Sequence, residues 1–305
     1  MRHLTRILDL SPDDARAILD HAVRLKNEWL QGRREPLLAG RLLVQVYEKP
    51  SLRTRMSFAA AIVQLGGGDE FLSGREAGIE GREAPQDVAR VLSRYADFVV
   101  LRTFSQNLID DFVRAAVCPV INGLSDDSHP CQALTDVMTI REVFGRLEGL
   151  KVAFVGDGNN VASSLAALCA MLGVRFAVAT PQGYELKADV LERIRSRFPD
   201  AEITHTHDPI AAVRDADVVY TDVWASMGQE SEAERRRQDF AAYQVNAELL
   251  AHAPPTCRVM HCLPAKRGQE ITSDVLDGPQ SIVFTQAENR MHLAKGLLVW
   301  LDEQR

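Results

Sequence analysis

The five residues Ser51-Leu52-Arg53-Thr54-Arg55 set two guanidinium groups and two hydroxyls side by side, directly after Lys49-Pro50. A β-like run, Leu42–Tyr47, precedes them, and a helical pattern over 56–62 follows. Pro50 discourages the strand from continuing. Ser51 and Thr54 suit a helix start, where the first N–H groups have no intrahelical partner. Those N–H groups, the positive helix end and the arginine forks together suit a phosphate-sized anion. No Walker glycine pattern is present, so this is not a nucleotide P-loop. An ordinary helix start with solvated arginines is the competing reading, and the residues further along the chain weigh against it.

Arg102 ends the apolar run Phe98–Arg102, and the C-terminal ends of strands in open α/β sheets are where ligands bind. His129 and Gln132 stand three apart at the head of a long helical pattern, a plausible oxyanion or carbonyl site. Neither has companions at metal-ligand spacing, which discounts zinc. Asp222 follows the run Val218–Thr221, where a carboxylate suits a cationic group. His261-Cys262-Leu263-Pro264 follows another short strand, which puts Cys262 at a sheet edge. The turn Gly156-Asp157-Gly158-Asn159-Asn160 resembles a dinucleotide fingerprint, but the third glycine is missing and no ribose-binding acid ends the next strand. Asn159 and Asn160 are better suited to a polar small molecule.

These positions need a frame of strand ends, and the chain supplies one. Ser11-Pro12-Asp13-Asp14 reads as the start of a helix with an apolar face through Ile18, Leu19, Ala22 and Leu25. A first strand–helix series runs to about Phe144, with a glycine-rich, charged loop over 73–85 that shows no apolar period. After a junction at 145–150, a second series begins with Lys151–Val155, a helix over 161–172 and a strand over 176–179. The charged stretch 230–238, with Arg235, Arg236 and Arg237, reads as a solvated helix face. The alternation throughout predicts an α/β fold of two doubly wound parallel-sheet domains joined by interdomain helices. The divide is expected at 1–146 and 147–286, with the apolar C-terminal helix 287–305 packing back on the first half.

A chain of 305 residues is long for a single core, and its net charge of −7, without a basic tail, argues against nucleic acid as a partner. An anionic substrate would therefore need local positive charge within an acidic protein. The five cysteines have no CxxC spacing, which argues against a disulfide framework and suits a reducing compartment. No apolar run approaches a membrane span, and the acidic N-terminus is unlike a signal or transit peptide. A cytoplasmic location is the expectation.

Taken in order, these stations resemble the aspartate/ornithine carbamoyltransferase family, on its ornithine branch, over nearly the whole chain (residues 5–303). Ser51-Leu52-Arg53-Thr54 is similar to the family's carbamoyl-phosphate loop, usually Ser-Thr-Arg-Thr, with Leu52 a departure. Arg102, His129-Pro130-Cys131-Gln132 and Arg290 match further carbamoyl-phosphate residues, and Cys262 and Leu263 join them. Asp157-Gly158-Asn159-Asn160, Asp222 with Ser226-Met227-Gly228, and His261-Cys262-Leu263-Pro264 mark the ornithine branch.

The resemblance implies transfer of a carbamoyl group from carbamoyl phosphate to the δ-amine of L-ornithine, with no cofactor and no metal. Carbamoyl phosphate would bind in the first domain and ornithine in the second, at Asn160, Asp222, Ser226 and Met227. Arg102, His129, Asp222 and Cys262 would carry the chemistry, and the family implies at least a trimer. The physics agrees: a small dianion needs Arg53, Thr54, Arg102 and Arg290, and attack by an amine builds charge on a carbonyl oxygen. The rival readings are transfer to another amine such as putrescine, and a non-catalytic metabolite-binding relative. The latter would be expected to lose some of these residues. Two departures stand out. Gly78 occupies a position where the family often has a glutamine reaching a neighbouring subunit's phosphate; either Arg75 or Arg82 substitutes for it, or both are solvated and the remaining contacts suffice. Lys266 replaces a common histidine.

Overall fold

Phe98–Arg102 is buried at every position, and the strands on either side of it are nearly as dry. Such runs suit parallel sheets covered by helices on both faces. The structure, a computed structural model, describes residues 1–225 and 230–305. Among the described residues, the first sheet holds β1 (Leu42–Tyr47), β2 (Gly68–Ser73), β3 (Phe98–Arg102) and β4 (Val120–Leu124), in the order β2-β1-β3-β4. The second holds β5 (Lys151–Val155), β6 (Arg175–Ala179), β7 (Ile203–Thr206), β8 (Val218–Thr221) and β9 (Arg258–His261), in the order β7-β6-β5-β8-β9. Every pairing is parallel. The expected α/β class with two doubly wound sheets is what the chain forms.

Both orders reverse direction once. In the first sheet the chain runs from β1 outward to β2 and then returns to the other side of β1 as β3. In the second it runs from β5 through β6 to β7 and returns beside β5 as β8. Ligands of open α/β sheets bind at such reversals, outside the carboxyl ends of the strands. Tyr47 pairs with Arg102 in register, so the β1 and β3 ends lie side by side. Phe154 pairs with Tyr220, their rings stacked at 5.2 Å.

The helices that matter begin with α1 (Pro12–Leu30), capped by Ser11 and Asp14 reciprocally, as its sequence predicts. Then come α2 (Leu52–Gln64), α3 (Gly74–Ala77), α4 (Pro85–Tyr95), α5 (Gln106–Ala115), α6 (Pro130–Phe144) and α7 (Asn160–Leu172). The chain divides into one unit of Met1–Met138 with Glu288–Arg305 and another of Thr139–Ala287. The final helix, Val283–Glu303, carries the return to the first unit. It passes α1 so closely that a Cβ on Gly296 would lie 2.5 Å from the Ala22 nitrogen. The glycine is there for the contact.

Two local expectations are corrected. The 73–85 stretch is not irregular throughout: Ser73 and Glu76 cap the short helix α3, and Gly78 ends it at φ +85. Only a residue tolerant of the left-handed region suits that place. The 230–238 stretch is not a wholly solvated face either. Arg236 is buried, bonded to Asp157 at 2.8 Å, Glu232 at 2.9 Å and the Trp224 carbonyl at 2.8 Å.

Candidate active site

In the first unit the site is built where β1 and β3 end. Ser51 caps α2, its hydroxyl accepting the Thr54 N–H at 3.2 Å. Such a cap is worth about 1 kcal/mol. It holds the helix's N-terminal turn, and with it Thr54, beside the end of β3. Gly123 permits the fit: a Cβ there would stand 3.2 Å from the Thr54 methyl and 3.2 Å from the Leu101 carbonyl. Arg102, buried, donates to Thr54 Oγ1 at 3.5 Å. Arg290 donates from one nitrogen to the same hydroxyl at 3.3 Å. Its other terminal nitrogen donates to Gln132 Oε1 and to His129 Nε2, the latter at 3.3 Å. The Gln132 amide is oriented for this by its own donation to Asp136 at 2.8 Å.

His129 is held neutral. Burial pushes its pKa well below the ordinary value, and Arg290, Arg102 and Arg53 push it further the same way. Because a guanidinium can only donate, His129 Nε2 is an acceptor and the ring proton sits on Nδ1. The loop before it is fixed by a buried network of Ser125 to Gln106 at 2.6 Å and Asn122 to the Thr5 carbonyl at 2.9 Å. Pro130 opens α6, and the Cys131 thiol points to the Asn122 carbonyl at 3.4 Å. Burial raises that thiol to about 12, so Cys131 is packing rather than a nucleophile.

Of the remaining loop residues, Arg53 is half-buried and Leu52 is 74% exposed. Leu52 contributes its backbone N–H in the first helical turn and no side chain. Lys49, at the edge of the loop, is buried, paired with Asp126 and 4.1 Å above the Phe104 ring. The sequence offered no sign of that burial. In the 73–85 stretch, Arg82 bonds Glu83 at 3.0 Å and the Glu76 carbonyl at 3.3 Å, while Arg75 is exposed.

In the second unit the site lies where β5 and β8 end. Asp222 is buried and accepts the Cys262 thiol at 2.9 Å on one oxygen and the Asn159 amide at 2.8 Å on the other. Asn159 also caps α7, its oxygen accepting from Val161 and Ala162. Asn160 is therefore the first residue of α7, and its neighbour makes the bond to Asp222. Ser226 and Met227 lie outside the described residues. Asp157 pairs with Arg236, and burial raises its carboxyl even so. Gly158, in the turn that resembles a dinucleotide fingerprint, faces protein: a Cβ would meet the Glu185 and Leu186 backbone at 2.5 Å.

The loop carrying Cys262 and Leu263 is pinned by His261. Its Nδ1 accepts the Leu263 N–H at 2.8 Å, so Nε2 carries the proton and donates to buried Glu270 at 3.1 Å. Gln286 accepts the His261 backbone N–H at 3.0 Å and donates to the Tyr220 hydroxyl at 3.1 Å. Glu270 and Gln286 are supports that the sequence did not reveal, because each acts across a separation no motif spans. Asp222, His261 and Cys262 bring potential metal-ligating atoms within 4.8 Å of one another. Both ring nitrogens of His261 are nevertheless already engaged.

Comparison with known proteins agrees with these two halves. Residues 2–142 match the family model described as the carbamoyl-P binding domain of aspartate/ornithine carbamoyltransferase, and residues 148–301 match its Asp/Orn binding domain. An ornithine carbamoyltransferase from Methanopyrus kandleri is 49% identical over 98% of this chain and 96% of its own. One from Bacillus subtilis is 46% identical over 97% of this chain and 92% of its own. The solved ornithine carbamoyltransferase from Pyrococcus furiosus superimposes with a TM-score of 0.94 at 46% identity, covering 97% of this chain and 96% of that one. The chain belongs to the aspartate/ornithine carbamoyltransferase family.

Proposed function

We propose that the protein transfers the carbamoyl group of carbamoyl phosphate to the δ-amine of L-ornithine, giving L-citrulline and phosphate. The observation that carries this reading is Arg290: a buried guanidinium whose hydrogen-bond partners, Thr54, His129 and Gln132, are all neutral. A buried charge without a counter-charge is costly. A dianion held by Arg53, Arg102, Arg290 and the N–H groups of α2 would offset that cost. Relatives at 46–49% identity that bear the ornithine carbamoyltransferase name support the choice of substrates.

The amine nitrogen attacks the carbonyl carbon, the bond from that carbon to the phosphate oxygen breaks, and the departing phosphate takes the amine proton. Negative charge appears on the carbonyl oxygen in between. Thr54, Arg102 and His129 are the groups to stabilise it. A neutral His129 serves as a hydrogen-bonding dipole and adds no further positive charge among the arginines. Asp222 with Cys262 suits the attacking amine, and Asn160, Ser226 and the Met227 backbone suit the amino-acid end. Holding two substrates in register supplies much of the gain.

We place carbamoyl phosphate in the first unit and ornithine in the second. Leu52, Met56 and Val63 leave an exposed apolar stripe on α2, which supports association of copies, and the family resemblance puts the number at three or a multiple of it. Among the described residues no helix is long and apolar enough to cross a membrane. The five cysteines are free thiols, which supports a cytoplasmic location. Asp222→Asn should raise the KM for ornithine at least tenfold while carbamoyl-phosphate affinity by calorimetry stays within about twofold, since the amide removes the negative charge that draws in the ornithine amino group as it arrives protonated. Loss of carbamoyl-phosphate binding in this variant would overturn the division of labour.

A further inference from the structure

His205 and His207 lie two residues apart at the end of β7, the edge strand of the second sheet, so both side chains leave the same face. Their rings meet edge to face at 4.7 Å. Glu185, from the loop after β6, completes the group: one ring nitrogen of each histidine and one carboxylate oxygen lie within 4.8 Å of one another. Neither histidine nor the carboxylate is used by the proposed reaction.

Three features organise the group for a ligand. His207 donates from Nδ1 to the Thr180 carbonyl at 2.8 Å, which fixes the tautomer and leaves the Nε2 lone pair 3.8 Å from Glu185 Oε1. A histidine that ligates a metal commonly donates its other N–H to a carbonyl in this way. Thr180 also steadies the second ring, its hydroxyl 3.0 Å from His205 Nε2. The Glu185 carboxylate accepts the Gly183 N–H at 3.0 Å on both oxygens, which holds its pKa below the ordinary value. The donor set is two imidazoles and one carboxylate.

We infer that Glu185, His205 and His207 form a binding site for a divalent transition-metal ion of the zinc or nickel class. Imidazole nitrogens with one carboxylate suit zinc, nickel or copper, and not magnesium or calcium. Metal–ligand bonds of about 2.0–2.2 Å put neighbouring ligand atoms roughly 3.3 Å apart in a tetrahedral site. The group must therefore draw in by up to about 1.5 Å, which side chains at the surface do by small χ rotations. Three ligands leave a fourth position for water. The ion would clip the 181–186 loop to the sheet edge, and that loop is the one whose backbone packs on Gly158.

The test is calorimetric titration of the whole protein with Zn²⁺, repeated with Ni²⁺, on wild type, His207→Ala, His205→Gln and Cys262→Ser. The wild type is expected to bind one ion at this site, His207→Ala and His205→Gln to weaken it at least tenfold, and Cys262→Ser to leave it unchanged. Zn²⁺ should also raise the Tm of the wild type and not that of His207→Ala, because an ion bound only by the native state stabilises it. The inference is overturned if the wild type takes up neither ion. It is equally overturned if binding survives both histidine substitutions or disappears with Cys262→Ser, which would move the ion to the Asp222–Cys262 group.

Discussion

Thr54 receives hydrogen bonds from both Arg102 and Arg290, so one hydroxyl sets the spacing of two buried cations. In the proposed reaction Arg102 is one of the donors, with Thr54 and His129, to the carbonyl oxygen where charge develops. Arg102→Ala should lower kcat/KM by about 10²–10³-fold or more, the usual cost of losing an oxyanion donor. Turnover within tenfold of wild type in a folded variant would remove Arg102 from the mechanism. His129 carries a second, independent consequence. An unfolded histidine takes up a proton near pH 6.5, while buried His129 resists until well below that. As pH falls through this window the unfolded state binds the extra proton and stability drops; above it the difference vanishes. His3 and His205 are shifted the same way and contribute in both proteins. Calorimetry from about pH 7 to 5 should therefore show a shallower loss of Tm in His129→Gln than in the wild type. Parallel curves would mean that the imidazole is not held neutral by the fold.

At the scale of elements, caps and close approaches decide what the sequence makes legible. The Ser11–Asp14 box and the Ser51 cap could be read directly, because each is local and satisfies N–H groups that any helix start exposes. Arg236 could not, since only its burial beside Asp157 separates it from the solvated arginines next to it. Gly158 has a packing reason that the sequence did not show, because a glycine that admits a phosphate and one that admits a passing backbone look alike in sequence. Gly78 is set by the left-handed end of α3, which the charge-rich stretch around it concealed. Gly296 makes the principle measurable. An alanine in mid-helix ordinarily gains about 1 kcal/mol over glycine. Here its Cβ would press on the α1 backbone at 2.5 Å, and overpacking of this kind costs about 1–3 kcal/mol. Gly296→Ala should thus lower the denaturation midpoint, and a stabilised variant would show that the two helices have room to part.

For the whole molecule, the alternation of strand and helix was sufficient to foresee two parallel sheets, and among the described residues the motif positions other than Arg290, which lies inside the final helix, fall at strand ends or helix starts. Strand order was not legible, because pairing is settled by contacts between segments far apart in the chain. That order places the Ser51–Thr54 loop and Arg102 at one reversal, and Asn159 and Asp222 at the other. The chain keeps its positive charge local: a net charge of −7 surrounds a buried arginine cluster fit for a dianion. The most direct test of carbamoyl transfer to ornithine is product analysis with carbamoyl phosphate and a panel of acceptors: L-ornithine, putrescine and L-aspartate. L-ornithine should give L-citrulline with one phosphate released per citrulline, at a kcat/KM at least a hundredfold above either other amine. Absence of citrulline from the active, folded protein, or a preference for putrescine or aspartate, would contradict it.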